Sequence, residues 1–129
     1  MRWLILLVFL VSGKVFAHSF NEQDCQLYAN LFYQIAEDRD GFYRYHEDLK
    51  KTNPNVDVNK AIEDHLKRND ARLEAVVQEG GHPFVQDMAD KKLIMDMAKL
   101  IFKNPTRSGE EIAIMFLQEC INDVNRQRL

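Results

Sequence analysis

The sequence has little of what marks the common catalytic and metal sites. It holds five glycines, three prolines and two cysteines in 129 residues, and it contains no phosphate-binding loop, nucleophile elbow or dinucleotide fingerprint. The two cysteines do not form a Cys-x-x-Cys motif, and no His-x-x-x-His spacing occurs, which argues against a redox-active cysteine pair and a helical zinc site. We therefore predict a protein that is not an enzyme, with no catalytic residues, no metal ligands and no cofactor.

An excess of basic residues is also missing. Seventeen Lys and Arg face twenty Asp and Glu, for a formal net charge of −3, and both signs are interspersed along the chain. Removing residues 1–17, which carry Arg2, Lys14 and no acid, leaves about −5. This balance is typical of a solvated surface, so we expect no binding to nucleic acid and no attraction to anionic membranes.

Long apolar runs are lacking except at the N-terminus, where the pattern predicts export. Arg2 supplies a positive charge, residues 3–11 are continuously apolar, and Val15-Phe16-Ala17 provides compact residues before a cleavage site. The run is about half the length that spans a bilayer. We interpret residues 1–17 as a cleaved signal peptide, with no stable membrane anchor after cleavage, and residues 18–129 as a single helical domain in the periplasm or secreted.

Alternation of apolar and polar residues is absent, and helical spacing dominates instead. A first helix is predicted from near Glu22. Arg39-Asp40-Gly41 is expected to interrupt it, either as a helix end with a glycine C-cap or as a kink, and residues 42–51 then form a short second helix. The turn signals at residues 52–55 end this part of the chain.

The second half of the chain repeats the helical pattern. A helix is predicted over residues 57–79, ended by Gly80-Gly81, and the next one starts at Pro83 and stops at Asn104-Pro105. The last helix starts at Ser108, with Glu111 completing a capping box. We therefore predict an all-α fold, a compact bundle of four to five helices.

The two cysteines, Cys25 and Cys120, lie near opposite ends of the mature chain. In an oxidising compartment they most simply form one disulfide. Cys25 shares a helix face with Tyr28 and Phe32, and Cys120 shares one with Phe116. The bond would join the first and last helices through the core and stabilise the fold by about 4–5 kcal/mol in the chain-entropy model.

Several short motifs occur in a recognisable order. The chain contains, in sequence, Cys25, Ile35-Ala36-x-x-Arg39-Asp40-Gly41, Lys103-Asn104-Pro105-x-x-Ser108-x-Glu110-Glu111 and Gln118-Glu119-Cys120. This order resembles small exported (periplasmic), all-helical two-cysteine proteins of unknown function found in proteobacteria. The resemblance implies the compartment and the fold, and it implies no activity.

Aromatic residues are concentrated in one stretch. Six of the ten that remain after cleavage fall within residues 28–45. Aromatic side chains are favoured anchors at protein interfaces, although the same stretch is equally able to supply bulky core residues. Arg39-Asp40 is either a contact to a partner or an ion pair that sets the angle between two helices. The candidate partner surface therefore comprises Tyr33, Arg39, Asp40, Tyr43 and Tyr45.

Two further groups receive structural interpretations. His46 and His65 lie beside acidic residues and are interpreted as solvated surface histidines that titrate near neutral pH. Met95 and Met97 do not face one way on a helix, so we interpret them as flexible core residues rather than a copper site.

The function predicted from the sequence is non-catalytic binding of a protein partner in the cell envelope. One alternative is an immunity or inhibitor protein that blocks a toxin or hydrolase, which predicts one tight partner. The other is a periplasmic stress holdase, which resembles the small disulfide-bonded acid-stress chaperones and predicts many weak clients and loosening in acid. The pattern does not predict an oligomeric state.

Overall fold

Four α-helices make up most of the chain that the structure describes. A computed structural model describes residues 21–82 and 85–127; the signal peptide predicted at residues 1–17 and the helix position predicted for Pro83 lie outside these ranges. The helices are α1 (Glu22–Thr52), α2 (Val58–Gln78), α3 (Met88–Lys103) and α4 (Gly109–Gln127). Since the described ranges hold no strand beyond an isolated bridge, the prediction of an all-α bundle of four to five helices is confirmed.

Helix α1 runs without interruption for 31 residues. It begins at a capping box in which Asn21 Oδ1 accepts from the backbone N–H of Asp24 at 2.9 Å, and the Asp24 carboxylate accepts from the backbone N–H of Asn21 at 3.0 Å. The predicted helix end at residues 39–41 and the separate helix over 42–51 are therefore wrong, and of the two alternatives the longer helix through Gly41 is the correct one. Glycine inside a helix costs only about 1 kcal/mol relative to alanine, and packing of α1 against the rest of the bundle outweighs that cost.

Helix α2 matches its predicted bounds closely. Asp57 caps its start by accepting from the backbone N–H of Lys60 at 3.1 Å. Two glycines of positive φ, Gly80 (111°) and Gly81 (90°), follow its end, and the Gly81 N–H donates to the carbonyl of Val76 at 2.9 Å. Only glycine adopts this conformation without strain, which is why the pair stops the helix.

Helix α3 starts later than the predicted position at residue 83. His82 and Val85 exchange backbone hydrogen bonds of 3.0 and 2.9 Å, so these backbone groups are not available to a helix. Asp87 then caps α3 by accepting from the backbone N–H of Asp90 at 2.9 Å. The described residues 85–87 therefore precede the helix, and the expectation that they already belong to it is wrong, because the Asp87 cap determines where the helix begins.

The core lies between α1, α3 and α4. Cys25 and Cys120 are fully buried and form the predicted disulfide, with 5.7 Å between their Cα atoms. Phe32 of α1 and Phe116 of α4 meet edge to face, with ring centroids 4.8 Å apart. Met95 and Met97 are buried, which confirms their predicted core role. The first and last helices are thus joined by both a covalent bond and aromatic packing.

The start of α4 lies close to α1. A Cβ atom added to Gly109 would come within 3.1 Å of the backbone oxygen of Tyr33 and 3.3 Å of the Cβ of Ala36. Ser108 Oγ accepts from the backbone N–H of Glu111 at 3.1 Å, as predicted. The Glu111 carboxylate, however, pairs with Arg107, one turn earlier.

Candidate functional site

Arg39 is an internal connector rather than a surface residue. It is 1 % exposed. Its Nη1 donates to the carbonyls of Ile101 and Asn104, both at 3.1 Å, and its Nη2 donates to the carbonyl of Arg107 at 2.6 Å. Nε and Nη2 also donate to Asp40 Oδ1, at 3.0 and 2.8 Å. These five bonds equal the donor capacity of a guanidinium, so Arg39 fixes α1 to the end of α3 and the following loop and is not available to a partner.

The predicted tyrosines do not form one surface either. The Tyr43 hydroxyl donates to the carbonyl of Phe102 at 2.9 Å. Tyr33 and Tyr45 are 41 % and 64 % exposed, but twelve helical residues separate them by about 120° around the axis and about 18 Å along it. A hydrogen bond with Glu37 raises the pKa of Tyr33. The candidate surface is therefore divided between the interior and two separate faces of α1.

A more distinctive feature lies between α1, α2 and α3. Helix α2 lies over α1 and α3, yet none of its 21 residues is buried. A cavity of about 220 Å³ lies beneath it. Apolar side chains from three helices form its walls: Leu31, Ile35, Leu73, Ile94, Met95, Ala98 and Phe102. Polar side chains form its rim: Asp38, His65, Asn69 and Arg72.

A second cavity of about 200 Å³ continues the first along α2. The two share Leu31, Leu73 and Ile94, and the second extends to Val76 and Val85. Both cavities are partly open to solvent rather than enclosed. We call the two cavities together the α2 groove; it is a mostly apolar channel between a surface helix and the core.

An aromatic cluster closes one end of the α2 groove. The Phe42 ring contacts two imidazoles; its centroid lies 4.1 Å from that of His46 and 4.8 Å from that of His65. Phe102 of α3 lies 5.5 Å from His65 and 5.9 Å from Phe42. We call these four residues the aromatic junction. The interpretation of His46 and His65 as solvated surface residues is wrong, because both are partly buried and pack against Phe42.

The charge state of His65 is set by this position. Burial is the main cause that lowers the pKa of His65, and the nearby cations of Arg68 and Arg72 lower it further, whereas Asp38 acts in the opposite direction. His65 Nε2 lies 3.3 Å from the amide nitrogen of Asn69. An amide nitrogen only donates, so His65 accepts this bond as a neutral imidazole.

One charged group links α2 to α3 further along. Lys91 Nζ lies 3.3 Å from an Asp70 oxygen and 3.8 Å from a Glu74 oxygen, and the lysine side chain is only 12 % exposed. Both carboxylates are about half exposed. The aromatic junction and Lys91 are thus aromatic and polar attachments at successive positions within a helix that contributes no fully buried side chain.

Sequence reasoning missed the α2 groove, although one signal for it exists. Ile62, Leu66, Leu73 and Val76 follow the spacing of a core-facing stripe, and Asn69 occupies the position between them. A polar residue in the middle of an apolar stripe indicates that the helix face is not fully enclosed. The signal was overlooked because the stripe is otherwise regular.

No protein-family model, curated protein or solved structure matches this chain. In the described ranges, no group of three or more His, Cys, Asp or Glu residues is arranged to hold a metal ion, and none of the four helices is long and apolar enough to cross a bilayer.

Proposed function

We propose that this protein is an exported, non-catalytic binding protein of the cell envelope, and that the α2 groove holds apolar side chains of a protein partner. The pattern of residues 1–17 supports export. The buried bond between Cys25 and Cys120 is compatible with an oxidising compartment outside the cytoplasm.

The observation that carries the proposal is that α2 covers apolar walls without burying a residue of its own. Side chains that line a void lack contact partners on one side. A partner side chain in the void would regain those contacts and would itself be removed from water, at about 25 cal/mol per Å² of apolar surface. A cavity of about 150 Å³ is enough for a benzene ring, so each cavity has room for one large apolar side chain.

The polar rim suits a protein partner rather than a wholly apolar molecule. Asp38 and Arg72 are exposed beside the first cavity, and Asn69 is half-buried between them. Binding sites commonly combine apolar walls with a few polar groups that fix orientation. Here these groups offer a carboxylate, a guanidinium and an amide to the backbone of a bound segment.

The test is to fill the α2 groove without changing the surface. Ala98 is buried in the wall of the first cavity, so Ala98→Leu adds volume inside it. Ala75→Leu is the matched control, because Ala75 is exposed on α2 and does not line either cavity. A partner captured from the native envelope and identified by mass spectrometry would be purified and titrated calorimetrically against the three proteins.

We expect Ala98→Leu to weaken binding by about tenfold, which corresponds to about 1.4 kcal/mol, and Ala75→Leu to bind as the wild type does. Equal affinity for Ala98→Leu and the wild type would place the binding site elsewhere. Capture of many substoichiometric proteins instead of one would argue for a holdase.

The holdase is a second candidate because of the aromatic junction. A helix attached through titratable groups such as His65 suits a protein that exposes apolar surface under acid stress. The corresponding assay is light scattering from a model client that unfolds in acid. Suppression of aggregation near pH 5 but not near pH 7 would favour the holdase over a dedicated partner.

A further inference from the structure

The polar attachments of α2 differ from those of the other helices in their response to pH. The disulfide joins α1 and α4, and Arg39, which keeps its charge at any physiological pH, joins α1 to the end of α3. Helix α2 has no such covalent or fully buried attachment; Lys91 of α3 pairs with its half-exposed Asp70 and Glu74, and the aromatic junction joins it to α1 and α3 through His65, which titrates. Elements with few buried contacts are the ones that open locally at the lowest free energy.

His65 is the residue of α2 at which three helices meet. The centroid of its ring lies 4.8 Å from that of Phe42 in α1 and 5.5 Å from that of Phe102 in α3. Its Nε2 accepts from Asn69, which requires the neutral ring. Protonation would turn Nε2 into a donor, so this bond would break unless the Asn69 amide turned its oxygen toward the ring.

The charged groups around His65 come from two helices. Arg68 and Arg72 of its own helix and His46 of α1 disfavour a charged imidazole, while Asp38 of α1 favours it. Helix α3 presents Phe102, Met95 and Ala98 to this end of the groove. His46 of α1 stacks on the same Phe42 ring, with 4.1 Å between the ring centroids, so the two imidazoles belong to one aromatic cluster.

We propose that His65 is a pH-sensitive latch, whose protonation releases α2 from α1 and α3 and opens the α2 groove to apolar segments of a partner. The opening of α2 is independent of the proposed function; only the statement that a partner then enters rests on it. Opening would expose the apolar walls contributed by α1 and α3, including Ile35, Ile94 and Phe102.

The direction follows from proton linkage. Burial lowers the pKa of His65 in the closed state from its usual 6.5, so the open state takes up protons more readily. The contribution of His65 to closure is therefore fully present above pH 6.5 and is lost progressively as the pH falls from there to the lowered pKa. Below that pKa the loss is complete.

The test is amide hydrogen exchange of the disulfide-bonded protein, without a partner, at about pH 7.5 and about pH 5.5. Rates are corrected for the intrinsic effect of pH and expressed as protection factors for each helix. We expect the protection of α2 to fall several-fold in acid while that of α1 and α4 holds. An equal change in all helices, or no change in α2, would overturn the latch.

Two variants separate His65 from the other histidines. His65→Leu keeps the apolar contacts and removes the titration, so its α2 protection should be the same at both pH values. His82→Gln is the matched control. His82 is an exposed histidine after the end of α2 that lines the second cavity but is not part of the aromatic junction, so this variant should open as the wild type does and shows that a titrating histidine elsewhere in the groove is not the cause. Acid opening in His65→Leu would refute the proposal.

A further variant guards against misfolding. If His65→Leu loses its helical circular dichroism, His65→Asn provides a small polar side chain that does not titrate, and the same comparison applies. Acid opening with no partner affinity at either pH would support the latch and refute the proposed function. Partner binding without opening of α2 in acid would support the proposed function and refute the latch.

Discussion

Replacing Arg39 with alanine should be among the most damaging single substitutions in this protein. The change removes five hydrogen bonds from a side chain that is 1 % exposed. It leaves the buried carbonyl of Ile101 and those of Asn104 and Arg107 without this donor. A hydrogen bond from a charged donor contributes about 1.5–3 kcal/mol, but burying the guanidinium offsets part of that gain. Removing one member of a buried charged network costs about 3–5 kcal/mol, and we expect Arg39→Ala to lower the free energy of unfolding by this amount.

The assay is urea unfolding followed by far-UV circular dichroism, with the disulfide intact. Arg44→Ala is the matched control, since Arg44 is exposed on the same helix, and it should change stability by less than about 0.5 kcal/mol. Total stability is expected to be only about 5–15 kcal/mol, so Arg39→Lys provides a milder variant. A lysine keeps the charge but not the planar guanidinium that donates five hydrogen bonds. The stability of Arg39→Lys should therefore lie between that of Arg39→Ala and that of the wild type. A loss below about 1 kcal/mol for Arg39→Ala would refute the assignment of Arg39 as the connector.

The other stability predictions use the same assay. Replacing Cys25 and Cys120 together with serine should cost about 4–5 kcal/mol, because the bond closes a loop with a sequence separation of 95; a loss under about 1 kcal/mol would contradict the entropic argument. Gly41→Ala should stabilise the protein by about 0.5–1 kcal/mol, since a Cβ there meets no atom within 4 Å inside a helix. Gly109→Ala should destabilise it by about 1 kcal/mol, because its Cβ would crowd the backbone of Tyr33. If Gly41→Ala and Gly109→Ala changed the stability in the same direction, the space around each glycine would not be what determines the effect of the substitution.

Local signals in the sequence predicted much of the fold. The bounds of α2 follow from Asp57 and Gly80-Gly81, and the start of α4 follows from Ser108, because caps act on their own neighbours. The disulfide followed from the faces shared by each cysteine. Gly41 misled the prediction of α1, since a helix breaker weakens a helix by an amount that tertiary packing can exceed.

The candidate site was less accessible to such reasoning. Exposure of Tyr33 and Tyr45 could be predicted only after the register of α1 against α4 was known, and that register comes from contacts far apart in sequence. Arg39 was placed at a supposed break, but its carbonyl partners lie more than 60 residues away. The groove beneath α2 depends on how closely one helix approaches two others, which periodicity along a single helix does not determine.

The pairing of α1 with α4 also determines the order in which the protein can fold. Synthesis makes α1 first and α4 last, so the apolar side of α1 around Phe32 stays uncovered until nearly the whole chain exists. The contacts between α1 and α4 join residues as far apart in sequence as Cys25 and Cys120, with a separation of 95. The entropy of closing this loop must be lost before most core contacts form, so the protein should fold more slowly than helical proteins whose contacts are local. The nascent chain therefore cannot complete its core before its last helix has emerged, and a copy truncated within α4 would remain exposed to aggregation and proteolysis.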